Sequence, residues 1–488
     1  MISKGFIKSS IIYSLVGSLP LASGFILLPL FAVHLGSGLY GQLALYTAFT
    51  MLIQIIINLS LDYGLQITYF ENKSEKLNLN QRIGTLVSGM LIIGIIFVII
   101  MAITGQFLFQ KIFPNSGLQF YPFGFFSLIT AFFNGFSKSY NNLLISQQKP
   151  IRFLWINLLN FCLTVVLTII LLLKFPDTLI GPITARAIAA GIVFCFSLYL
   201  IVRQYHLSFE WLFLKTTIII CIPVLINYLL NWSLGYSDRF IITGYLSVRE
   251  TGIFDFALKT TFVIDILLTG IYNTFTPKLL NHLITNNKKS SDQYYNSYFN
   301  SLTGFTILLI PFTVLIVHIL IPLFHVKPDY LLSLKYIGLI SISYIFKVLI
   351  LMFNTPLYAF KKTYMLPKIY GIAAIIQIVM SIVLIKYFGL IGAIISMILI
   401  KPIQVLLTVW QTKKFFSFSY SANKMIIMPM IYFVIFVGFE IITFKYNHMV
   451  LYWIELAISG FLVLFFFRNE IKTLAADTAG KFRSTKRE

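Results

Sequence analysis

Apolar runs of about 20 residues recur from one end of this chain to the other, each long enough to cross a ~30 Å hydrocarbon layer as a helix. Lipid offers no hydrogen bonds to a backbone, so such runs must satisfy their own polar groups as helices. Charged residues are only 11% of the 488, against about 25% in soluble domains. The pattern predicts an all-α polytopic membrane protein. Fourteen spans fit it, at roughly 10–34, 40–61, 83–104, 119–139, 152–173, 179–201, 214–235, 251–274, 299–322, 332–354, 365–386, 389–410, 425–444 and 449–467.

The net charge of +21 does not point to nucleic acid, because the basic residues sit in short clusters between apolar runs rather than on one soluble face. Of 37 Lys and Arg, 25 fall on the side of the N-terminus and 8 on the other, with Lys111, Lys174, Arg239 and Arg249 among the eight. Four more, Arg186, Lys259, Lys347 and Lys401, lie inside spans. The positive-inside rule then places both termini in the cytoplasm, as an even span count requires. Lys4 and Lys8 precede an apolar run with no small-residue cleavage site, so the first helix reads as a retained signal anchor. Cys162, Cys195 and Cys221 lie in apolar segments without metal-ligand spacing and read as small packing residues. The histidines form no HExxH pair, and no nucleotide-binding motif occurs, so neither a metal nor ATP is expected.

An internal repeat is visible. "LYGQLALYTAF" opens span 2 and "ETGIFDFALKTTF" opens span 8, with Gly41 and Gly252 separated by 211 residues. "LIGPITARAI" and "LIGAIISMIL" open spans 6 and 12, and Gly181 and Gly392 show the same offset of 211. Spans 1–6 and 7–12 therefore read as two parallel six-helix bundles, 1–212 and 213–412, with two further helices and a basic tail in 413–488. Parallel repeats are a transporter architecture, which favours transport over membrane enzymology.

Charges inside spans cost at least ~2.5–3.5 kcal/mol each and need a reason. Asp255 and Lys259 are spaced i,i+4 on one face of span 8, with Lys259 ~12 Å deep. They read either as a self-neutralising pair or as a cavity-facing lysine tempered by its neighbour. Asp265 is on a different face, where it could bind a coupling cation such as H+ or Na+ or cap a neighbouring helix. Lys401, before Pro402, lies ~16 Å into span 12. For Arg186 and Lys347, snorkelling to the surface is an adequate alternative to a binding role. Glu440, read as near the outer surface, and Glu455, in the peripheral span 14, read as structural. Across spans 1–12 the count is four cations to two anions, a basic interior suited to an anionic substrate. Asp238, Arg239, Arg249 and Glu250 read as the outer connection between spans 7 and 8, where water or mutual pairing can satisfy them.

The segment "ILLPLFAVHLGSGLYGQLAL", with Pro29, Gly36 and Tyr40-Gly41, resembles the opening of Wzx-type polysaccharide-biosynthesis membrane proteins. Asp238-Arg239, a loop, Gly252 and Lys259 are similar to an internal segment of that family, and "LDYGL" at Leu61–Leu65 fits its pattern after span 2. The resemblance covers essentially the whole chain. It implies an O-antigen-type flippase of the multidrug/oligosaccharidyl-lipid/polysaccharide exporter superfamily in a bacterial inner membrane. Such a protein moves undecaprenyl-diphosphate-linked oligosaccharide to the outer leaflet for lipopolysaccharide or another surface glycan. Two bundles would rock around a basic lumen, beside membrane lipids and other assembly proteins. The family's basic cavity residues would map onto Arg186, Lys259 and Lys401, of which only Lys259 lies in a matched motif. Where relatives carry an Arg soon after "GL", this chain has Tyr69-Phe70-Glu71, so that role does not carry over.

Two alternatives lie within the superfamily, a peptidoglycan-precursor flippase and a multidrug extruder; the second would need acidic cavity residues. A membrane-embedded polysaccharide polymerase would carry a large outer loop, and the longest outer connections here are about 15 residues, around Lys111 and Asp238. An acyltransferase would need a deep histidine, whereas His318 sits near the end of span 9, where a satisfied or interfacial role is expected.

Overall fold

The computed structural model describes residues 13, 16–17, 19–71, 76–113, 116–285, 288–416, 420–446, 449–468 and 470. The signal-anchor reading on Lys4 and Lys8, Lys73 of the inner cluster, and the basic tail beyond Glu470 lie outside these residues. The described chain is helical, and it divides into two compact units, Met1–Asp255 and Phe256–Glu488.

The first unit contains α1 (Leu19–Ile26), α2 (Leu28–His34), α3 (Ser37–Asn58), α4 (Leu61–Glu71), α5 (Lys76–Ile112), α6 (Phe125–Ser146), α7 (Pro150–Lys174), α8 (Ile180–Tyr205) and α9 (Trp211–Tyr245), and it includes the start of α10 (Val248–Thr260). The second contains the rest of α10, then α11 (Phe262–Thr285), α12 (Lys288–Leu323), α13 (Leu334–Ile342), α14 (Tyr344–Ala359), α15 (Leu366–Thr412), α16 (Met428–Tyr446) and α17 (Met449–Phe466).

Helix α5 shows what these sequences are built for. Ile83, Leu86, Val87 and Met90 are buried, while Ile92, Ile95, Ile96, Ile99 and Ile103 are exposed at the i,i+3/i+4 spacing of one helix face. Both faces are apolar, so the outer one suits hydrocarbon rather than water. Helix α6 is the opposite case. It packs against α3, α4, α5, α7 and α8, and it buries Ser127, Thr130, Ser137, Ser139 and Tyr140. A helix enclosed by other helices can carry polar groups, provided those groups find partners there.

Among the described residues, ten helical segments are long and apolar enough to cross a membrane. One of them, Thr363–Thr412, holds both spans 11 and 12, because Gly389 (φ 61°, ψ −139°) breaks α15 between them. Spans 1, 4 and 8 fall on elements outside the ten. Span 1 is divided between α1 and α2, span 8 between α10 and α11, and span 4 is the polar helix α6.

The repeat-related glycines mark close helix contacts. A Cβ on Gly41 would collide with the carbonyl oxygen of Val248, and one on Gly252 with that of Ser37. Ser37 and Val248 are themselves 211 residues apart, so the α3–α10 crossing is symmetric under the sequence offset. Gly181 packs on the backbone of Leu171 and Leu172, and Gly392 on that of Leu384 and Ile385. Of the cysteines, Cys221 packs beside Gly64, but Cys162 and Cys195 are exposed, which corrects their reading as packing residues.

Candidate functional site

In the first unit, the site gathers around α8, α9 and the start of α10. Arg186 is half-buried, about 9 Å along α8 from its first residue. Its Nη1 donates to Thr47 Oγ1 on α3 at 2.7 Å, and Thr47 donates onward to the Leu43 carbonyl at 2.7 Å. Among the described residues, that hydroxyl is the only hydrogen-bond partner of Arg186, although Tyr40, Tyr236 and Asp255 lie within electrostatic range. The side chain reaches across to a neighbouring helix.

Arg239 overturns a second expectation. Helix α9 continues to Tyr245, ten residues beyond the end expected of span 7, and leaves only Leu246 and Ser247 as the connection. Asp238 and Arg239 are therefore buried helix residues, 5% and 2% exposed, and not part of the outer connection. Gly252 likewise lies within α10, at the glycine crossing. Arg239 donates from Nε and Nη2 to Asp255 Oδ1 at 2.7 and 2.6 Å, and from Nη1 to the Gly235 carbonyl at 2.7 Å. Its guanidinium also sits 4.8 Å from the centre of the Tyr236 ring. Asp255 thus makes a salt bridge with Arg239 across helices.

A second polar cluster in this unit was not read as a site from sequence. Asp62, 0% exposed, accepts from Asn58 Nδ2 at 3.2 Å and from Asn142 Nδ2 at 2.9 Å, with Lys138 Nζ at 3.4 Å. Ser139 donates to Asn58 Oδ1 at 3.0 Å, and the Lys138 ammonium lies 4.4 Å from the centre of the Tyr228 ring. The chain turns beside it through Leu59 and Ser60, both in the left-handed region (φ 45° and 56°), a conformation unusual for such residues. Hydropathy ends span 4 at about 139 and so puts Lys138 with the cytoplasmic connection that follows, whereas α6 continues to Ser146. The polar run "SKSYNN" at Ser137–Asn142, read as part of a helix facing Asp62, was the available signal.

In the second unit, Lys347 on α14 forms an ion pair with Asp265 on α11 and donates to Thr269 Oγ1 at 2.7 Å. This replaces snorkelling for Lys347 and gives Asp265 a basic partner; the two side chains are 22% and 41% exposed. Lys259 on α10 and Lys401 on α15 are half-buried. His318 is satisfied as expected, bonded to the Val314 carbonyl and the Tyr452 hydroxyl. Glu440 and Glu455 are both buried among helices.

The four-to-two count of interior charges is therefore incomplete. With Arg239 and Lys138 joined by Asp62 and Asp238, the count in spans 1–12 becomes six cations to four anions, with Glu440 and Glu455 buried beyond them in α16 and α17, and total charge alone does not select a cargo. What distinguishes the basic groups is their bonding. Arg239 and Lys347 are held by carboxylates, whereas Arg186 is held by a neutral hydroxyl. Among the described residues, no three His, Cys, Asp or Glu side chains gather as a metal site.

The fold is that of known transporters. The chain superposes on the lipid II flippase MurJ in an inward closed conformation with a TM-score of 0.71 and 15% identity, over 95% of this chain and 100% of that one. It also matches an inward-facing multidrug resistance MATE family transporter of the MOP superfamily, with a TM-score of 0.69 and 14% identity over 84% and 98%. The outward-facing conformation of such a transporter gives 0.59 and 14% over 84% and 94%. No protein-family model and no curated protein matches the sequence.

Proposed function

We propose that this protein is a flippase that carries undecaprenyl-diphosphate-linked oligosaccharide from the cytoplasmic to the outer leaflet of a bacterial inner membrane by alternating access. Its product would feed a surface polysaccharide such as O-antigen. The observation that carries this reading is Arg186. With one N–H given to Thr47, four of its five donors remain for a ligand, and a guanidinium matches the paired oxygens of a diphosphate. Lys259 and Lys401 supply further ammonium groups for phosphate or acidic sugars. The transporter fold agrees with carriage rather than catalysis.

A charge-assisted hydrogen bond is worth about 1.5–3 kcal/mol, so loss of Arg186 should lower flux roughly tenfold or more. The test is surface glycan in a strain lacking its own copy, complemented with Arg186→Ala, Lys259→Ala or Lys401→Ala, with membrane levels of each variant measured alongside. Loss of glycan at normal protein levels is expected. Full glycan in all three variants would sink the reading.

A second reading, lipid II itself as cargo, is favoured by the likeness to MurJ over that whole chain. It shares the polyprenyl-diphosphate chemistry. Rescue of cells depleted of their own lipid II flippase would select it.

A further inference from the structure

The last two helices bury a pair of carboxyl groups to which no described basic side chain is bonded. Glu440 on α16 and Glu455 on α17 are 5% and 3% exposed and lie within electrostatic range of each other. Each has its Oε1 buried without a hydrogen-bond partner. The space for Glu440 is specific: it lies against Gly338 of α13, where any Cβ would strike the carboxyl group. Glu455 is six residues into α17, ~9 Å from the start of that helix.

The hydroxyls nearby have mostly committed their protons elsewhere. Thr443 donates to the Glu440 backbone carbonyl at 3.0 Å and Ser459 to that of Glu455 at 2.8 Å. His318 sits with Nδ1 2.8 Å from the Val314 carbonyl, so that nitrogen carries the hydrogen and Nε2 accepts from the Tyr452 hydroxyl at 2.8 Å. The Tyr432 hydroxyl is buried without a partner, within electrostatic range of both carboxyl groups. Among the other packed elements, Lys335 on α13 is exposed, and Lys424, just before α16, is bonded to Glu470 at 2.5 Å.

A buried ionised carboxylate needs donors and costs several kcal/mol without them, and two carboxylates in one pocket repel. A protonated carboxyl carries no charge to desolvate and can itself donate a hydrogen bond. We propose that Glu440 and Glu455 form a proton-binding site in the two C-terminal helices, holding at least one proton between them at neutral pH. The site stands whichever polyprenyl cargo is carried. An alkali cation is the other monovalent ion two carboxylates can take.

The test is infrared difference spectroscopy on the purified full chain in lipid nanodiscs, in potassium buffer at neutral pH, with and without sodium. The expected result is the band of a buried protonated carboxyl, shifted in deuterated water, insensitive to sodium, and lost in the Glu440→Gln/Glu455→Gln variant. Glutamine keeps the volume and polarity of both sites. Should the double variant fail to fold, the single Glu455→Gln variant assigns the band. A band unchanged by these substitutions overturns the proposal, as does one that sodium abolishes with release of protons; the latter would make the pair an alkali-cation site.

Discussion

Arg239 and Arg186 are two guanidiniums in one helical unit with opposite energetic roles. Arg239 and Asp255 are both withdrawn from solvent, with side chains 2% and 0% exposed. Removing one partner of such a pair costs about 3–5 kcal/mol, whereas replacing both with apolar residues is often neutral. Arg239→Leu and Asp255→Leu should each lower the melting temperature in detergent strongly, and the double variant should recover much of the loss. A double variant no better than the sum of the two would show that the pair is not the coupled unit described. Arg186 should behave differently, because its substitution forfeits one charge-assisted bond, about 1.5–3 kcal/mol, and strands no buried countercharge. Arg186→Ala should therefore keep the protein folded while losing transport. The same melting measurement tells a structural charge from a ligand-contacting one.

The α3–α10 crossing is the element on which the repeat acts directly. Gly41 and Gly252 each meet backbone carbonyl oxygen, which cannot yield as a flexible side chain can. Gly41→Ala and Gly252→Ala should each destabilise by about 1–3 kcal/mol, the usual cost of overpacking, measured by thermal unfolding. Gly38, also on α3 but with nothing within 4 Å of its would-be Cβ, is the control and should tolerate alanine. Equal melting of the Gly38 and Gly41 variants would remove the close crossing. This contact was legible in sequence, as a shared offset of 211 residues between glycine-containing helix openings. The end of α9 was not. Hydropathy reads Asp238 and Arg239 as loop residues because it scores each side chain alone, while a partner 16 positions on, Asp255, is what lets Arg239 be buried. The Asp62–Lys138 cluster was missed for the same reason, since its two halves lie in different helices.

On the scale of the molecule, the two patterns most readable from sequence were apolar run length and the distribution of Lys and Arg. Run length gave the spans wherever a helix is continuous and faces lipid, as α5 does. It was least informative for α6, whose polar residues face other helices, and for spans broken into two elements, such as α10 and α11. The charge distribution survives the corrections. Moving Arg239 and Lys138 from connections into helices removes one residue from each side of a 25-to-8 split, leaving 24 to 7. A bias of that size sets orientation, because lysine and arginine close to span ends resist transfer across the membrane. The exposed turn at Asp177, between α7 and α8, should then face outward, and the exposed turn at Lys361, after α14, should face the cytoplasm. Substituted-cysteine labelling checks both in a background where Cys162, Cys195 and Cys221 are replaced. A membrane-impermeant maleimide should react with Asp177→Cys in intact cells, and with Lys361→Cys only after permeabilisation. The reverse pattern would overturn the orientation, and with it the direction in which the proposed cargo is carried.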